Sequence, residues 1–219
     1  MCLGAMPAGH EVCATAGKSG NLSTSAITRR VSMTIKTIAL AALASVALVP
    51  AAVSAATIGS VFYQPQYDFG EFFAASDGKT FQVRLAGTPF PGLDPDMVAR
   101  ELLPVLQAGK PRPALTFTYA IPPERPRPDY RLVLVFDAAS DLGSSAVCNG
   151  ATRVKPGRPG VLDLYAVYCR NDQVMSEATA WTSASGPNDP RVAGLFRELL
   201  QVVFGDSPAL RPQTGGNRR

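Results

Sequence analysis

Past Ala55 the sequence contains no histidine; the single one, His10, lies near the start of the chain. That absence removes Ser-His-Asp and Cys-His nucleophilic machinery, HExxH zinc sites and imidazole acid–base catalysis from the body of the protein. Cysteine is scarce as well. There are four, Cys2, Cys13, Cys148 and Cys169, and the two beyond Ala55 cannot complete a four-thiolate zinc site. Charge is sparse and balanced. Of 21 Lys and Arg and 17 Asp and Glu, four bases and one acid precede Ala56, which leaves 17 against 16. A net charge of +1 gives no footing for nucleic acid. No glycine-rich phosphate loop of the P-loop or dinucleotide type is present, so no cofactor is implied. No catalytic, cofactor-binding or metal-ligating residue emerges from these patterns.

What is present is a leader. Met33–Ala56 reads MTIKTIALAALASVALVPAAVSAA. Lys36 supplies a positive charge, Thr37–Val49 an apolar run, and Val53-Ser54-Ala55 the small residues of a cleavage site, in the three-part order of a secretory signal peptide. The apolar run is about 13 residues, short of the roughly 20 that a bilayer needs, so no transmembrane anchor is expected after processing. Cleavage is expected after Ala55 or Ala56. Residues 1–32 read as a non-native or extended N-terminal segment, with translation expected to begin at Met33. Arg29-Arg30 lacks the apolar pair of a twin-arginine signal because Ser32 stands in its place. No cysteine follows the apolar run closely enough for a lipid anchor. A periplasmic or secreted location follows.

Residues 56–204 carry the periodicities of one domain. Phe81, Val83 and Leu85 alternate with Gln82 and Arg84, the period of a half-buried strand. Ala114–Ala120 alternates in the same way. Leu132–Phe136 is unbroken apolar sequence, which suits a strand buried on both faces at the centre of a sheet. GVLDLYAVYC and QVMSEATAW read as two further strands joined by a tight turn at Asn171-Asp172. Thr57–Tyr63 is strand-like and runs into a loop at Pro65. Two helices share one start: Asp94 then Pro95, and Asp189 then Pro190, a capping side chain followed by a residue that has no N–H to satisfy. The first is expected to stop at Gly109. The second carries Val192, Leu195, Phe196, Leu199, Leu200 and Val203 as one apolar stripe. The expected fold is α+β and two-layered: a mixed or mostly antiparallel sheet of about five to six strands with two helices packed on one face. Residues 205–219 read as a disordered tail.

This order, with DYRLVLVFD, QVMSEATAW and the end helix DPRVAGLFRELLQVVF, resembles that of small bacterial envelope proteins of unassigned function. Their domain is similar to the N-terminal domain of the Tol-system protein TolB. The resemblance covers roughly Thr80–Phe204 and implies an α/β envelope domain; it assigns no site residue.

Several motifs offer chemistry. Ser76-Asp77-Gly78-Lys79 matches the S-x-x-K of penicillin-recognising enzymes, yet Asp-Gly reads as a turn rather than a helix start. Asp94-Pro95-Asp96 resembles a metal-binding D-x-D, and helix capping accounts for both acids. A carboxylate pair for glycan hydrolysis needs two acids flanking a cleft, which sequence does not place. Tyr165, Tyr168 and Trp181 suit either a ligand groove or strand packing, with packing favoured. The proline-rich IPPERPRPD offers Arg125 and Arg127 on a stiff exposed connection.

Cys148 and Cys169 remain. Metal ligation fails for want of partners and a catalytic thiol lacks its histidine. Export places the pair in an oxidising compartment, where one intramolecular bond is available. A Cys148–Cys169 disulfide is expected, tying the Lys155–Gly160 loop onto the sheet. The functional expectation is an exported, non-catalytic domain that binds an envelope protein or small ligand; a carboxylate-dependent glycan hydrolase and a secreted enzyme inhibitor are the alternatives.

Overall fold

The structure of the chain, a computed structural model, describes residues 56–122 and 128–206. The expected signal peptide and N-terminal segment, and Arg125 and Arg127, lie outside the described residues.

Six strands form one sheet: β1 (Thr57–Tyr63), β2 (Thr80–Ala86), β3 (Thr116–Thr118), β4 (Tyr130–Phe136), β5 (Val161–Arg170) and β6 (Gln173–Ser183). Their spatial order is β1-β6-β5-β4-β2-β3. β1, β6, β5 and β4 pair antiparallel, while β2 runs parallel to both β4 and β3. The sheet is therefore mixed, as the sequence led one to expect. β4 is central, and all seven of its residues are buried. Its unbroken apolar run reflects that position: neither face of the strand meets water. Asn171 and Asp172 form the two-residue turn between β5 and β6. Asn171 has φ 54°, a left-handed value that asparagine tolerates. The same residue exchanges two hydrogen bonds with Asp129, its side chain accepting at 2.9 Å and its N–H donating at 2.7 Å, so the hairpin tip also fixes the start of β4.

Four helices accompany the sheet: α1 (Phe69–Ser76), α2 (Pro95–Gly109), α3 (Ser144–Cys148) and α4 (Pro190–Val203). The two expected from their caps are present. Asp94 Oδ1 accepts the Met97 N–H at 2.9 Å and Asp189 Oδ1 the Arg191 N–H at 3.0 Å. All six stripe residues of α4 are buried. α2 ends at Gly109 as expected, and the glycine has a packing role as well. It is the last helical residue of α2, and a Cβ there would lie 3.1 Å from the Arg197 backbone nitrogen. The missing side chain lets α2 approach α4 closely. The unexpected α1 begins at Asp68, whose side chain accepts the Gly70 N–H at 2.7 Å. Only eight residues long, it shows too little periodicity to stand out, and its formation rests on packing.

Each sheet face has its own core. One carries Leu132, Leu134, Phe136, Leu164, Ala166 and Tyr168, covered by α1, α2 and α4. The opposite face carries Val133, Val135, Val167 and Cys169, covered by α3 and the chain around Leu142. Gly205, the first residue of the expected tail, accepts a hydrogen bond from the Tyr67 hydroxyl at 2.9 Å. Residues 207–219 lie outside the described residues.

Candidate functional site

The lightly covered face carries the cysteine pair that sequence singled out. Cys148, at the end of α3, is bonded to Cys169 on β5, with the two Cα atoms 5.6 Å apart. Arg131 lies beside Cys169 in register, and its guanidinium donates to the Cys148 carbonyl at 2.5 Å and to Asp129 Oδ2 at 3.4 Å. A covalent bond and a buried cation thus hold the C-terminal end of α3, where helix carbonyls lack partners.

The clasp does not hold the loop it was expected to hold. Cys169 sits near the hairpin end of β5, whereas the Lys155–Gly160 loop enters that strand at Val161. Eight residues of strand, roughly 27 Å, separate the two.

The loop is held instead by an ionic cluster at the far end of the sheet. Asp137 follows β4 directly, with φ 49°. Its carbonyl accepts the Lys155 N–H at 2.7 Å, and its own N–H donates to the Asp163 carbonyl at 3.0 Å. Gly157 presses against the Asp137 carboxyl so closely that a Cβ would lie 2.5 Å from Oδ2. Lys155 Nζ and Arg158 Nη2 stand 3.3 and 3.7 Å from Asp163 Oδ2. Asp137 is 6% exposed. Burial pushes its carboxyl above the ordinary carboxylate range and Asp163 adds to the rise, while Lys155 and Arg158 oppose it. Sequence reasoning passed over Asp137. Its one signal is position, an acid placed directly after an all-apolar central strand.

Beside the loop lies a cavity of about 440 Å³, within the range of small-ligand pockets. Pro89, Phe90 and Leu93 form one wall; Arg158, Pro159 and Val161 form the other. Prolines stiffen both walls, and the Ala184 N–H donates to the Gly160 carbonyl at 3.0 Å, fixing the second wall to the end of β6. Arg158 is the charged side chain on this lining. The arrangement suits an apolar ligand that carries an anionic group.

The remaining sequence candidates have structural roles. Ser76 ends α1 instead of starting a helix, is buried, and donates to the Phe72 carbonyl at 2.6 Å; Lys79 Nζ donates to the Ala74 carbonyl at 3.1 Å. Asp94 caps α2 and Asp96 lies in its first turn. Tyr165, Tyr168 and Trp181 do not meet in a groove. Tyr168 is buried in the helix-covered core, among Phe72, Phe81 and Phe204. Tyr165 is on the opposite face, with its hydroxyl donating to Glu177 Oε2 at 3.0 Å. Trp181 is partly exposed next to the edge strand β1. Glu71 is another acid with close partners. Its carboxylate receives Arg170 Nη1 at 2.9 and 2.8 Å and the Tyr130 hydroxyl, which ties α1 to β5 and β4. Among the described residues no three His, Cys, Asp or Glu gather as a metal site would require. No helix among them is long and apolar enough to cross a membrane.

No family model matches the chain, and no curated protein does. Among solved structures, it is similar to the PelC L103M dodecamer from Paraburkholderia phytofirmans, with 15% identity and a TM-score of 0.35 over 69% of this chain and 99% of that one. A likeness that loose fixes no function.

Proposed function

We propose that this is an exported envelope protein whose processed domain binds a partner or small ligand without catalysing a reaction. The Cys148–Cys169 disulfide carries the reading. Such a bond persists in oxidising compartments, and it agrees with the signal-peptide order of Met33–Ala56. Ala56 packs against the main core, which favours cleavage after Ala55. The resemblance of the Thr80–Phe204 sequence to TolB-like envelope domains supports the same reading.

Binding is favoured over hydrolysis by the state of the two neighbouring carboxylates. An acid–base pair must face substrate across a cleft. Asp137 lies beneath Gly157, and Asp163 is engaged by Lys155 and Arg158. The proline-lined cavity, with Arg158 at its edge, is the place where an anionic, partly apolar ligand would sit.

The test is expression in a Gram-negative host with fractionation, N-terminal sequencing and thiol labelling, followed by affinity capture from envelope extract. The expected result is a processed chain beginning at Ala56, no labelled thiol, and a captured partner that is lost on Arg158→Glu. A chain retained unprocessed in the cytoplasm, or two free thiols in the exported protein, would refute the export reading.

A further inference from the structure

Strand β3 stops before β2 does. The pairing between them covers Thr80–Gln82 of β2 and Thr116–Thr118 of β3, while β2 continues beside β4 as far as Ala86. Beyond Thr118 the chain bends away, with the Ala120 N–H donating to Thr118 Oγ1 at 3.1 Å. The last four residues of β2 therefore have no strand on their outer side among the described residues. The Thr116 N–H donates to the Lys79 carbonyl at 3.0 Å. Backbone groups alternate sides along a strand, so those of Phe81, Val83 and Leu85 aim at the same edge as Lys79. The Leu85 N–H and C=O thus point into the gap.

A cavity of about 560 Å³ occupies this gap. Its walls come from Asp96 and Ala99 of α2 on one side and from Tyr119 and Ile121 on the other. Tyr119 is anchored by a hydrogen bond from its hydroxyl to the Ala99 carbonyl at 2.9 Å, so the wall is already built. Ile121 is 56% exposed, an apolar side chain at the mouth with little to cover it. Arg84 lies between Val83 and Leu85 on the strand, exposed and without an ion pair among the described residues.

We propose that the notch accepts an extended segment of a partner polypeptide as an added strand along β2. The segment places an acidic side chain beside Arg84 and apolar side chains at the alternate positions, against Tyr119 and Ala99. Another strand is the partner that matches backbone donors and acceptors at strand spacing. The free edge is roughly 13 Å long, enough for about four residues. Arg84 sets the sign of what pairs, because an acid directly opposite it is attractive and a base repulsive. The proposal rests on the binding half of the function given above and is independent of export. It uses a surface separate from the proline-lined cavity.

The test uses the purified, disulfide-bonded chain and three fluorescein-labelled hexapeptides. One is Thr-Val-Glu-Val-Thr-Gly, the second has Lys in place of Glu, and the third is the first with its central amides N-methylated. Fluorescence polarisation and hydrogen exchange at the Leu85 amide are the readouts. The acidic peptide is expected to bind and to slow exchange at Leu85, the lysine peptide to bind about tenfold more weakly, and the methylated one not to bind. Arg84→Glu, at an exposed site, should keep the melting temperature and reverse the preference. Three results would overturn the proposal: no binding of the acidic peptide, a preference unchanged by Arg84→Glu, or equal binding of the methylated peptide. A Leu85 amide already protected in the free chain, and released on deleting residues 123–127, would overturn it as well, since the chain would then fill its own notch. Failure of the Arg158→Glu capture experiment leaves these readouts untouched, so the two ideas fall separately.

Discussion

The two faces of the sheet are covered in different ways. On one, α1, α2 and α4 bury a continuous core that includes Phe72, Leu102, Phe196 and Phe204. On the other, five-residue α3 covers a small cluster around Val133, Val135 and Val167. Apolar area removed from water stabilises roughly in proportion to its size, so the first face holds itself together. The second has little area to offer and is closed by a disulfide, by the Arg131 contact to Cys148 and by the ion pairs of Lys155 and Arg158 with Asp163. Where burial is small, covalent and charged contacts take its place.

The largest expected break in this contrast is Phe196→Ala on the helix-covered face. Loss of a fully buried ring should cost about 3–5 kcal/mol, and the loss should be global. Denaturant melts followed by far- and near-ultraviolet circular dichroism should shift together. Separate transitions would show that the core is less cooperative than its packing implies.

Replacing both Cys148 and Cys169 by Ala should cost roughly 3 kcal/mol in the chain-entropy account, for a bridge between residues 21 apart. The sharper expectation is where the damage appears. Amides at the end of α3, such as Asn149, which donates to Ser145, should lose exchange protection well before those of α4. Equal loss in α3 and α4 would mean that the clasp serves the whole domain.

A smaller effect is expected from Asp189→Ala at the start of α4, about 1 kcal/mol at neutral pH. Hydrogen bonds from the Arg191 side chain and backbone hold the Asp189 carboxyl below its ordinary value of 3.8. A lowered carboxyl stabilises the fold above that ordinary value and stops doing so as pH falls through its own value. The difference between wild type and variant should therefore shrink in acid, as read from urea midpoints between pH 2 and 7.

Asp137→Asn should give the smallest change, with the opposite sign. The carboxyl is raised by burial, so its ionised form weakens the fold once pH exceeds the raised value, and the penalty disappears below the ordinary one. Asparagine, which accepts a left-handed backbone, should make the protein slightly more stable at pH 7 and flatten that part of the pH profile. A loss of stability at pH 7 would show that the carboxylate is satisfied in solution.

Much of the fold was legible because it rests on short-range rules. The caps at Asp94 and Asp189, the Leu132–Phe136 run and the Asn171-Asp172 turn each state a local preference that packing then uses. α1 was not legible, since eight residues give too little periodicity and the helix is held by Phe72 in a distant core. The end of α2 at Gly109 was legible, but the close approach that this glycine allows was not, since Arg197 is far along the chain. The candidate site was legible only as residue types. Sequence named the cysteines, their bond and the hairpin end of β5 where Cys169 lies, but expected that bond to hold the Lys155–Gly160 loop, which enters the strand at its other end.

The sequence by itself determined the catalytic chemistry that histidine would supply and the domain lacks, the cysteine pair available for bonding, and the elements that local capping and periodicity encode. Those follow from composition and from interactions a few residues apart. Tertiary structure alone decided that Asp137 and Asp163 meet, that proline walls from two loops enclose a cavity, and that the pairing of β3 with β2 stops at Gln82 among the described residues. Each joins residues tens of positions apart through strand order and register, which are settled when the whole chain packs.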